Sequence, residues 1–239
     1  MKKILAALLL TIPTMAVAID LDGYFITAKG GVSKTMNTGT TSFNRENGAI
    51  RTFQDEDLGT GNAFGFSVGK YLTNSFRLEL EAIKRTGYEY DARITTVGLT
   101  SNTEEAKIQT EALFINGFYD FQPFTMSNTS ITPYLGGGVG ISRNKMGTAV
   151  GHTNGVPSIA TVDGKTISQF AYKLSAGALL SFSEQLSLDV NYQYVDLGEF
   201  KSGTALYNSG VFIDNFQRPF NGGEIKTQEL MVGLQYTFK

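Results

Sequence analysis

Apolar and polar residues alternate along the final stretch of the chain. The apolar set is Leu230, Val232, Leu234, Tyr236 and Phe238, and smaller or more polar residues fill the positions between them. Successive side chains of a β-strand point to opposite faces, so a period of two collects the apolar set on one face. The pattern predicts a strand with one apolar and one polar face.

Seven further segments have the same period. The eight predicted strands are Tyr24–Lys34, Asn62–Leu72, Phe76–Tyr88, Lys107–Phe121, Ile131–Arg143, Gln169–Phe182, Leu186–Asp196 and Lys226–Phe238. Each reaches the roughly 9–11 residues that a tilted membrane strand needs. Polar rows opposite apolar rows indicate a polar interior and an apolar outside. The chain is therefore predicted to be all-β, an eight-stranded antiparallel transmembrane β-barrel.

The connections between these segments alternate in length. Residues 73–75 and 183–185 are tight turns and 122–130 is a somewhat longer one, whereas four connections are long: 35–61, 89–106, 144–168 and 197–225. Short periplasmic turns and long extracellular loops are typical of outer-membrane barrels, and a soluble β-sandwich rarely sorts its loops in this way. One barrel domain is predicted over residues 19–239. In the third long loop, Asp163-Gly164 predicts a hairpin turn, with an irregular loop as the alternative.

The N-terminus has the features of an export signal. Lys2 and Lys3 precede an apolar run from Ile4 to Ile12, and Ala16-Val17-Ala18 fits the small-x-small rule for cleavage before Ile19. A membrane anchor is the alternative, but a spanning helix needs about 20 apolar residues. Residues 1–18 are therefore predicted to be a signal peptide.

Composition narrows the class of protein. Only 18% of residues are charged, while the chain has 27 Gly, 17 Phe and 11 Tyr, a profile that favours many short strands. Without Lys2 and Lys3, 18 Lys and Arg face 22 Asp and Glu, and this acidic balance argues against nucleic-acid binding. Cysteine is absent. Closure of a barrel in lipid, rather than disulfides, must then supply stability.

Four strand segments carry a family resemblance. They are Leu113–Phe121, Pro133–Gly140, Phe170–Gly177 and Leu188–Tyr194. The chain resembles the surface-antigen or opacity-protein family of eight-stranded outer-membrane barrels, which share the architecture of the outer-membrane protein A transmembrane domain. The resemblance implies a surface-exposed antigen or adhesin, sometimes a weak porin, with outer-membrane lipid and a host-cell surface or extracellular ligand as partners. It implies no catalytic residues and specifies no oligomeric state.

The chain end is similar to the signal that the barrel-assembly machinery reads in such proteins. Gly233, Tyr236 and Phe238 match its spacing of a glycine and two aromatics. Two positions depart from it: Lys239 follows the terminal aromatic, and apolar Val232 precedes the glycine. The resemblance therefore implies the assembly machinery as a partner.

The alternation also assigns charged side chains to the lumen. They are Lys29, Arg77, Glu79, Glu81, Arg85, Glu111, Lys173, Asp189 and Glu229. An eight-stranded barrel has room inside only for side chains, and buried charges must pair. Pairing between neighbouring strands predicts Lys29 with Glu229, Lys173 with Asp189, and Arg77 or Arg85 with Glu111. Two interpretations remain open: an ion path gated by these pairs, or a plug of salt bridges that closes the pore.

The residues expected for catalysis or metal binding are sparse. His152, the one histidine, stands in a long loop without a fixed partner, as surface histidines do. No His and Cys spacing suits a metal. The run Asp55-Glu56-Asp57 is best explained as a solvated loop tip, with a surface cation site as the alternative. We predict no enzyme activity, no cofactor and no metal. A lipid-modifying enzyme that uses His152 is the remote alternative.

The fourth long loop is unusually apolar. It holds Leu206, Tyr207, Val211, Phe212, Ile213, Phe216 and Phe220. So much apolar area either packs on the barrel mouth and the third loop or contacts a partner. Leu206, Tyr207, Phe212, Phe216 and Phe220 are the candidate recognition residues. The sequence thus predicts a non-enzymatic outer-membrane surface protein, an antigen or adhesin and envelope scaffold, with a narrow porin as the main alternative.

Overall fold

The computed structural model describes residues 20–36, 41–44, 50–53, 58–94, 102–126, 129–153, 159–215 and 221–239. The elements are β1 (Tyr24–Thr35), β2 (Thr41–Asn44), β3 (Ile50–Phe53), β4 (Thr60–Tyr71), β5 (Phe76–Ile94), β6 (Asn102–Asp120), β7 (Phe124–Met126), β8 (Thr129–Met146), β9 (Ala149–Thr153), β10 (Ile159–Val162), β11 (Lys165–Ser181), β12 (Leu186–Lys201), β13 (Ala205–Asn208), β14 (Val211–Asn215) and β15 (Asn221–Thr237). No helix in these ranges is long and apolar enough to span a membrane. The predicted signal peptide, residues 1–18, lies outside the described residues.

Eight of the strands close into a barrel. In order around the wall they are β1, β4, β5, β6, β8, β11, β12 and β15, and each pairs antiparallel with the next. The first and last strands then pair along a seam from Phe25 opposite Thr237 to Thr35 opposite Thr227. Closure leaves no free edge in the wall. The predicted all-β, eight-stranded antiparallel barrel is confirmed.

The outer face of the wall is apolar where lipid would cover it. Phe64 on β4 is 63% exposed and Leu174 on β11 is 62% exposed. Ile115 on β6, a strand that lies between these two in the wall, also faces outward. These positions alternate with buried ones along each strand, as the period of two predicts. Large exposed apolar side chains in a continuous belt are stable in contact with acyl chains.

Glycines on β8 create space inside the barrel. Gly136, Gly138 and Gly140 all face inward, and a Cβ at these positions would overlap the Phe118 ring, the Asn116 side chain and the Leu113 carbonyl oxygen, respectively. The Phe118 and Asn116 side chains of β6 therefore lie against a stretch of β8 whose inward positions carry no side chain. This arrangement lets large residues fill a narrow barrel.

A bulge on β5 changes which face a residue occupies. The register between β5 and β6 shifts between Arg85 and Tyr88, and Gly87 has a positive φ of 92°. Glycine adopts this left-handed conformation without steric cost. The shift turns Tyr88 into the lumen, where it is 1% exposed and its hydroxyl lies 2.5 Å from Ser33 Oγ. By the alternation alone, Tyr88 would lie on the outer face of β5, as Phe76 does.

The extracellular connections form a sheet that continues from the barrel. β9 pairs with β6, β10 with β9, β13 with β10, and β14 with β13; we call these four strands the loop sheet. The prediction of a hairpin turn at Asp163-Gly164 is wrong. The strand before the turn, β10, pairs with β9 and β13 and not with β11, the strand that follows the turn. The Asp163 N–H donates to the Ala205 carbonyl (3.1 Å), and its own carbonyl accepts from the Gly203 N–H (2.6 Å). The third and fourth loops are thus joined by backbone hydrogen bonds.

Candidate functional site in the filled lumen and the loop sheet

An arginine closes the periplasmic end of the lumen. Arg77 on β5 is 1% exposed, and its Nε donates to Asp120 Oδ1 on β6 at 3.1 Å. Its guanidinium carbon lies 4.2 Å from the ring centroid of Phe118 and 4.5 Å from that of Tyr134. A planar guanidinium can bind a carboxylate and stack on aromatic faces at once. The cluster fills this section of the barrel with packed side chains.

The centre of the lumen holds a network of two lysines and two glutamates. Glu81 is bound by Lys29, with Nζ 3.0 Å from Oε1, and by Lys173 through Oε2. Lys29 also lies 3.3 Å from Glu79, and the Asn116 amide donates to both glutamates at 2.9 and 3.0 Å. All five side chains are buried. Opposite charges therefore lie next to one another away from water, and the Asn116 amide adds hydrogen bonds to both carboxylates.

A second ion pair lies nearer the extracellular side. Arg85 donates to Glu229 through Nε (2.5 Å) and Nη2 (3.1 Å). The same carboxylate accepts hydrogen bonds from Ser33 (2.6 Å), Gln193 (2.5 Å) and Thr227 (2.8 Å). Five donor atoms, from β1, β5, β12 and β15 itself, thus surround one carboxylate. Such a bidentate pair, in which further donors bind the carboxylate, is an arrangement that tolerates a buried charge well.

The predicted pairs Lys29–Glu229 and Lys173–Asp189 are wrong, although all four residues lie in the lumen. Lys29 binds Glu79 and Glu81 instead of Glu229, and Lys173 binds Glu81 instead of Asp189. Asp189 accepts from the Tyr134 hydroxyl at 2.6 Å. The prediction considered only neighbouring strands, but the lumen is narrow enough for long side chains to cross it. Lys173 on β11 accordingly reaches β5.

Glu111 is not in the lumen. Its side chain is 53% exposed on the outer face of β6 and lies 3.1 Å from Lys84 on β5. The partner expected for Arg77 or Arg85 is therefore absent from the lumen. On β6 the inward positions are Thr110 and Ala112. Glu111 continues the outward row past the apolar belt, where a charge meets water or lipid headgroups instead of acyl chains.

The extracellular half of the lumen is packed with apolar side chains. This cluster is not among the features predicted from the sequence. Those with at most 2% exposure are Leu58, Ala63, Tyr88, Ile108, Phe114, Met146, Ala149, Ala171, Val195, Leu197, Phe200, Ile225 and Met231. They form one cluster, and Leu206 of the loop sheet packs against it. Several lie on parts of the strands that extend past the predicted ends. This apolar cluster lies on the extracellular side of the Glu81 salt-bridge network. Together they fill most of the length of the lumen.

The fourth-loop residues divide between packing and exposure. Leu206 is partly buried against the apolar cluster, and the Tyr207 and Phe212 rings meet edge to face at 5.8 Å. Val211, Phe212 and Ile213 remain 64%, 51% and 55% exposed. Phe216 and Phe220 lie outside the described residues, as does the acidic run at residues 55–57.

The remaining candidate chemistry is dispersed. His152 lies on β9 with an exposed side chain, and its backbone pairs with Thr103 and Ile159. Over the described ranges, no group of three or more His, Cys, Asp or Glu residues could hold a metal ion. The His152 side chain has no hydrogen bond or ion pair with another residue that the structure describes.

The terminal strand lies at the seam. The rings of Tyr236 and Phe238 stack edge to face at 5.1 Å, and the Phe238 N–H donates to the Tyr24 carbonyl at 2.8 Å. Lys239 binds Glu184 in the β11–β12 turn at 2.6 Å, and this hydrogen bond lowers the pKa of the Glu184 carboxyl. The extra lysine thus ties the chain end to a neighbouring periplasmic turn.

A closed eight-stranded wall, an apolar belt outside and a filled polar and apolar lumen define a transmembrane barrel of the outer membrane. The chain belongs to the outer membrane protein beta-barrel domain family, which it matches over residues 4–238. It is similar to the outer membrane protein PagN of Salmonella typhimurium, at 24% identity over 244 residues, 96% of this chain and 95% of that one. It is therefore an outer-membrane surface protein.

Two further proteins show the same likeness. A candidate adhesin of Rickettsia bellii is 24% identical over 211 residues, 84% of this chain and 85% of that one. The crystal structure of Neisserial surface protein A aligns with a TM-score of 0.53 at 15% identity, covering 91% of this chain and 98% of that chain. This structural likeness supports the fold.

Proposed function

We propose that this protein is a non-enzymatic adhesin, in which the barrel is a scaffold and strand β14 of the loop sheet is the contact surface. The observation that carries the proposal is the exposed apolar row Val211, Phe212 and Ile213 on β14. Apolar side chains exposed together above the membrane are suited to contact with another macromolecule. The similarity to a candidate adhesin agrees with this role.

The scaffold gives this row a fixed position. β14 is joined through β13 and β10 to β9, which pairs with β6 of the barrel wall. Leu206 on β13 packs against the apolar cluster in the lumen. Recognition surfaces are commonly loops held by a rigid framework, which lowers the entropy lost on binding.

Host-cell binding by the refolded protein tests the proposal. Val211→Ser/Ile213→Ser should reduce binding by roughly tenfold, because it removes two of the three exposed apolar side chains of β14 and about 1.4 kcal/mol corresponds to that factor. Ile159→Ser, which changes an exposed residue of the same sheet on β10, is the matched control. Equal binding by the double variant and the wild type would exclude β14 as the contact surface.

The filled lumen supports a scaffold rather than a pore or an enzyme. Charged groups pair across the centre, and apolar side chains occupy the extracellular half. A lipid-modifying role through His152 has no support from the contacts around that residue. His152→Ala should accordingly leave the outer-membrane lipid profile unchanged.

We also propose that Gly233, Tyr236 and Phe238 form the signal that the barrel-assembly machinery reads. Their spacing supports this, as does the position of Tyr236 and Phe238 at the periplasmic end of the last strand. Lys239, bound to Glu184, leaves both aromatic rings on the surface of the chain end. The effect of replacing Phe238 in cells tests this assignment.

A further inference from the structure

On three neighbouring strands of the wall, the outward-facing residues change from apolar to predominantly cationic between one outward position and the next. Ala82, Leu113 and Ile141 face outward in register on β5, β6 and β8. Two residues further toward the extracellular side, Lys84 on β5, Glu111 on β6 and Arg143 on β8 also lie in register. The change marks where the acyl-chain region of the outer leaflet gives way to its headgroups.

A groove crosses this boundary. Its apolar part has a volume of about 740 Å³, and the small side chain of Ala82 lies between Phe66 and Leu113, which pair with it on either side. The groove continues into a second hollow of about 250 Å³ lined by Gln109, Lys145 and Thr166. Lys84, Glu111 and Arg143 line both parts. The result is one channel on the surface with an apolar end and a cationic end.

The cationic end has uncompensated charge. Lys84 binds Glu111 at 3.1 Å, which leaves Arg143 and Lys145 with no ion-pair partner among the residues that the structure describes. All four side chains are exposed. Three cations and one carboxylate give a local charge of +2. On the opposite side of the barrel, Lys226 binds Glu224 and lies 3.9 Å from Asp196, so that side carries no such excess.

We propose that this lateral groove binds an outer-leaflet lipid with an anionic phosphate headgroup. Its acyl chain would lie over Ala82 between Phe66 and Leu113, and its phosphate would contact Arg143 and Lys145. An arginine can bind phosphate through two parallel hydrogen bonds, and clustered basic residues beside a membrane attract anionic headgroups. The Glu111 carboxylate faces the same site. Because it is paired with Lys84, its negative charge is compensated and does not repel the phosphate. This site is separate from the adhesive row on β14.

The absence of tryptophan provides a clean probe. Val139→Trp places a fluorophore on the outer face of β8, four residues before Arg143 and beside the groove. Leu230→Trp is the matched reporter on β15, four residues after Lys226 on the opposite side. Each variant is refolded into phosphatidylcholine nanodiscs that contain either brominated phosphatidylglycerol or brominated phosphatidylcholine. Bromine quenches tryptophan on contact, so relative quenching measures which lipid occupies each face.

The anionic lipid should be enriched roughly fivefold over phosphatidylcholine at the Val139→Trp reporter, the factor expected from about one basic residue near an anionic lipid. The Leu230→Trp reporter should show no enrichment. Arg143→Gln/Lys145→Gln should abolish the preference. Lys34→Gln/Lys226→Gln, which removes the same charge from β1 and β15, should leave it intact.

Three results would overturn the proposal. They are equal quenching by both lipids at the Val139→Trp reporter, equal enrichment at both reporters, and equal loss in the two charge variants. Millimolar inorganic phosphate is added in a further arm, and it should not displace the lipid. Displacement would instead assign the cationic end to a soluble phosphate. Heat-dependent gel migration establishes that each variant is folded, so a loss of preference reports the site.

Discussion

Individual charged residues in this barrel find partners on the far side of the lumen. Arg85 on β5 reaches Glu229 on β15, and Lys173 on β11 reaches Glu81 on β5. These contacts link strands that are far apart in the chain, including a separation of 144 residues for the first pair. Because both members of each pair are buried, loss of one partner strands a charge, and this loss is more costly than the net gain from the pair itself.

Arg85→Met should lower the free energy of unfolding by about 3–5 kcal/mol, because the buried Glu229 carboxylate loses its cation. Urea unfolding in lipid vesicles measures the change. Arg85→Met/Glu229→Gln should recover most of it, since the amide is neutral and keeps an acceptor for Ser33.

Lys201→Gln is the control for that experiment. Lys201 lies 3.2 Å from Glu199 in a partly exposed pair, and removal of such a pair should change stability by less than about 1 kcal/mol. Similar losses in Arg85→Met and Lys201→Gln would show that burial does not set the value of these pairs.

At the scale of strands, the alternating pattern determines the wall and the chain end completes it. β15 pairs with β12 on one side and β1 on the other, so the last strand contributes to two ladders. Its outer row ends in Tyr236 and Phe238, whose rings contact each other at the periplasmic rim. The same element therefore closes the barrel and presents the proposed assembly signal.

Phe238→Ala should reduce the amount of assembled barrel in cells by roughly tenfold, a factor that corresponds to about 1.4 kcal/mol in recognition. Its refolding yield in detergent should stay close to that of the wild type, because Phe238 lies beyond the last residue of the strand. Outer-membrane fractionation and heat-dependent gel migration measure the two quantities.

Phe182→Ala is the matched control, because Phe182 is another exposed aromatic that directly follows a barrel strand, β11. If both variants assemble equally well, the terminal aromatic is not a specific signal. If Phe238→Ala fails to refold in detergent, its effect in cells reflects folding instead of recognition.

At the scale of the whole molecule, packed side chains of the described residues fill three sections of the barrel lumen. Arg77 and its aromatic neighbours fill the periplasmic end, the Glu81 network fills the centre, and the apolar cluster around Phe200 fills the extracellular half. Each section uses side chains from several strands. The interior thus acts as a second core that supports the wall from within, in addition to the lipid around it.

The refolded wild-type protein should show no conductance steps above the lipid background in a planar bilayer, because its lumen is filled with packed side chains. A sixteen-stranded porin, which has an aqueous channel, is the control for insertion and detection. Discrete steps that change in Lys173→Ala would instead establish an ion path gated by the charge network.

The sequence by itself determined the eight strands of the barrel wall, their apolar outer rows and the division into short turns and long loops. A period of two is local, and the lipid belt requires it on every strand, so the pattern was readable without any partner. It also assigned most of the buried charges correctly, including Lys29, Arg77 and Glu229. Glu111 was misassigned because a charge past the belt can face outward.

Only the tertiary structure decided which charges pair, where the loops dock and how the wall forms its groove. The pairs cross a narrow interior, and their partners follow from barrel diameter and shear, which no single strand encodes. Tyr88 turned inward because of a bulge two residues after Arg85. The lateral groove likewise depends on Ala82, Leu113 and Arg143 meeting in register across three strands, a relation that exists only once the barrel has closed.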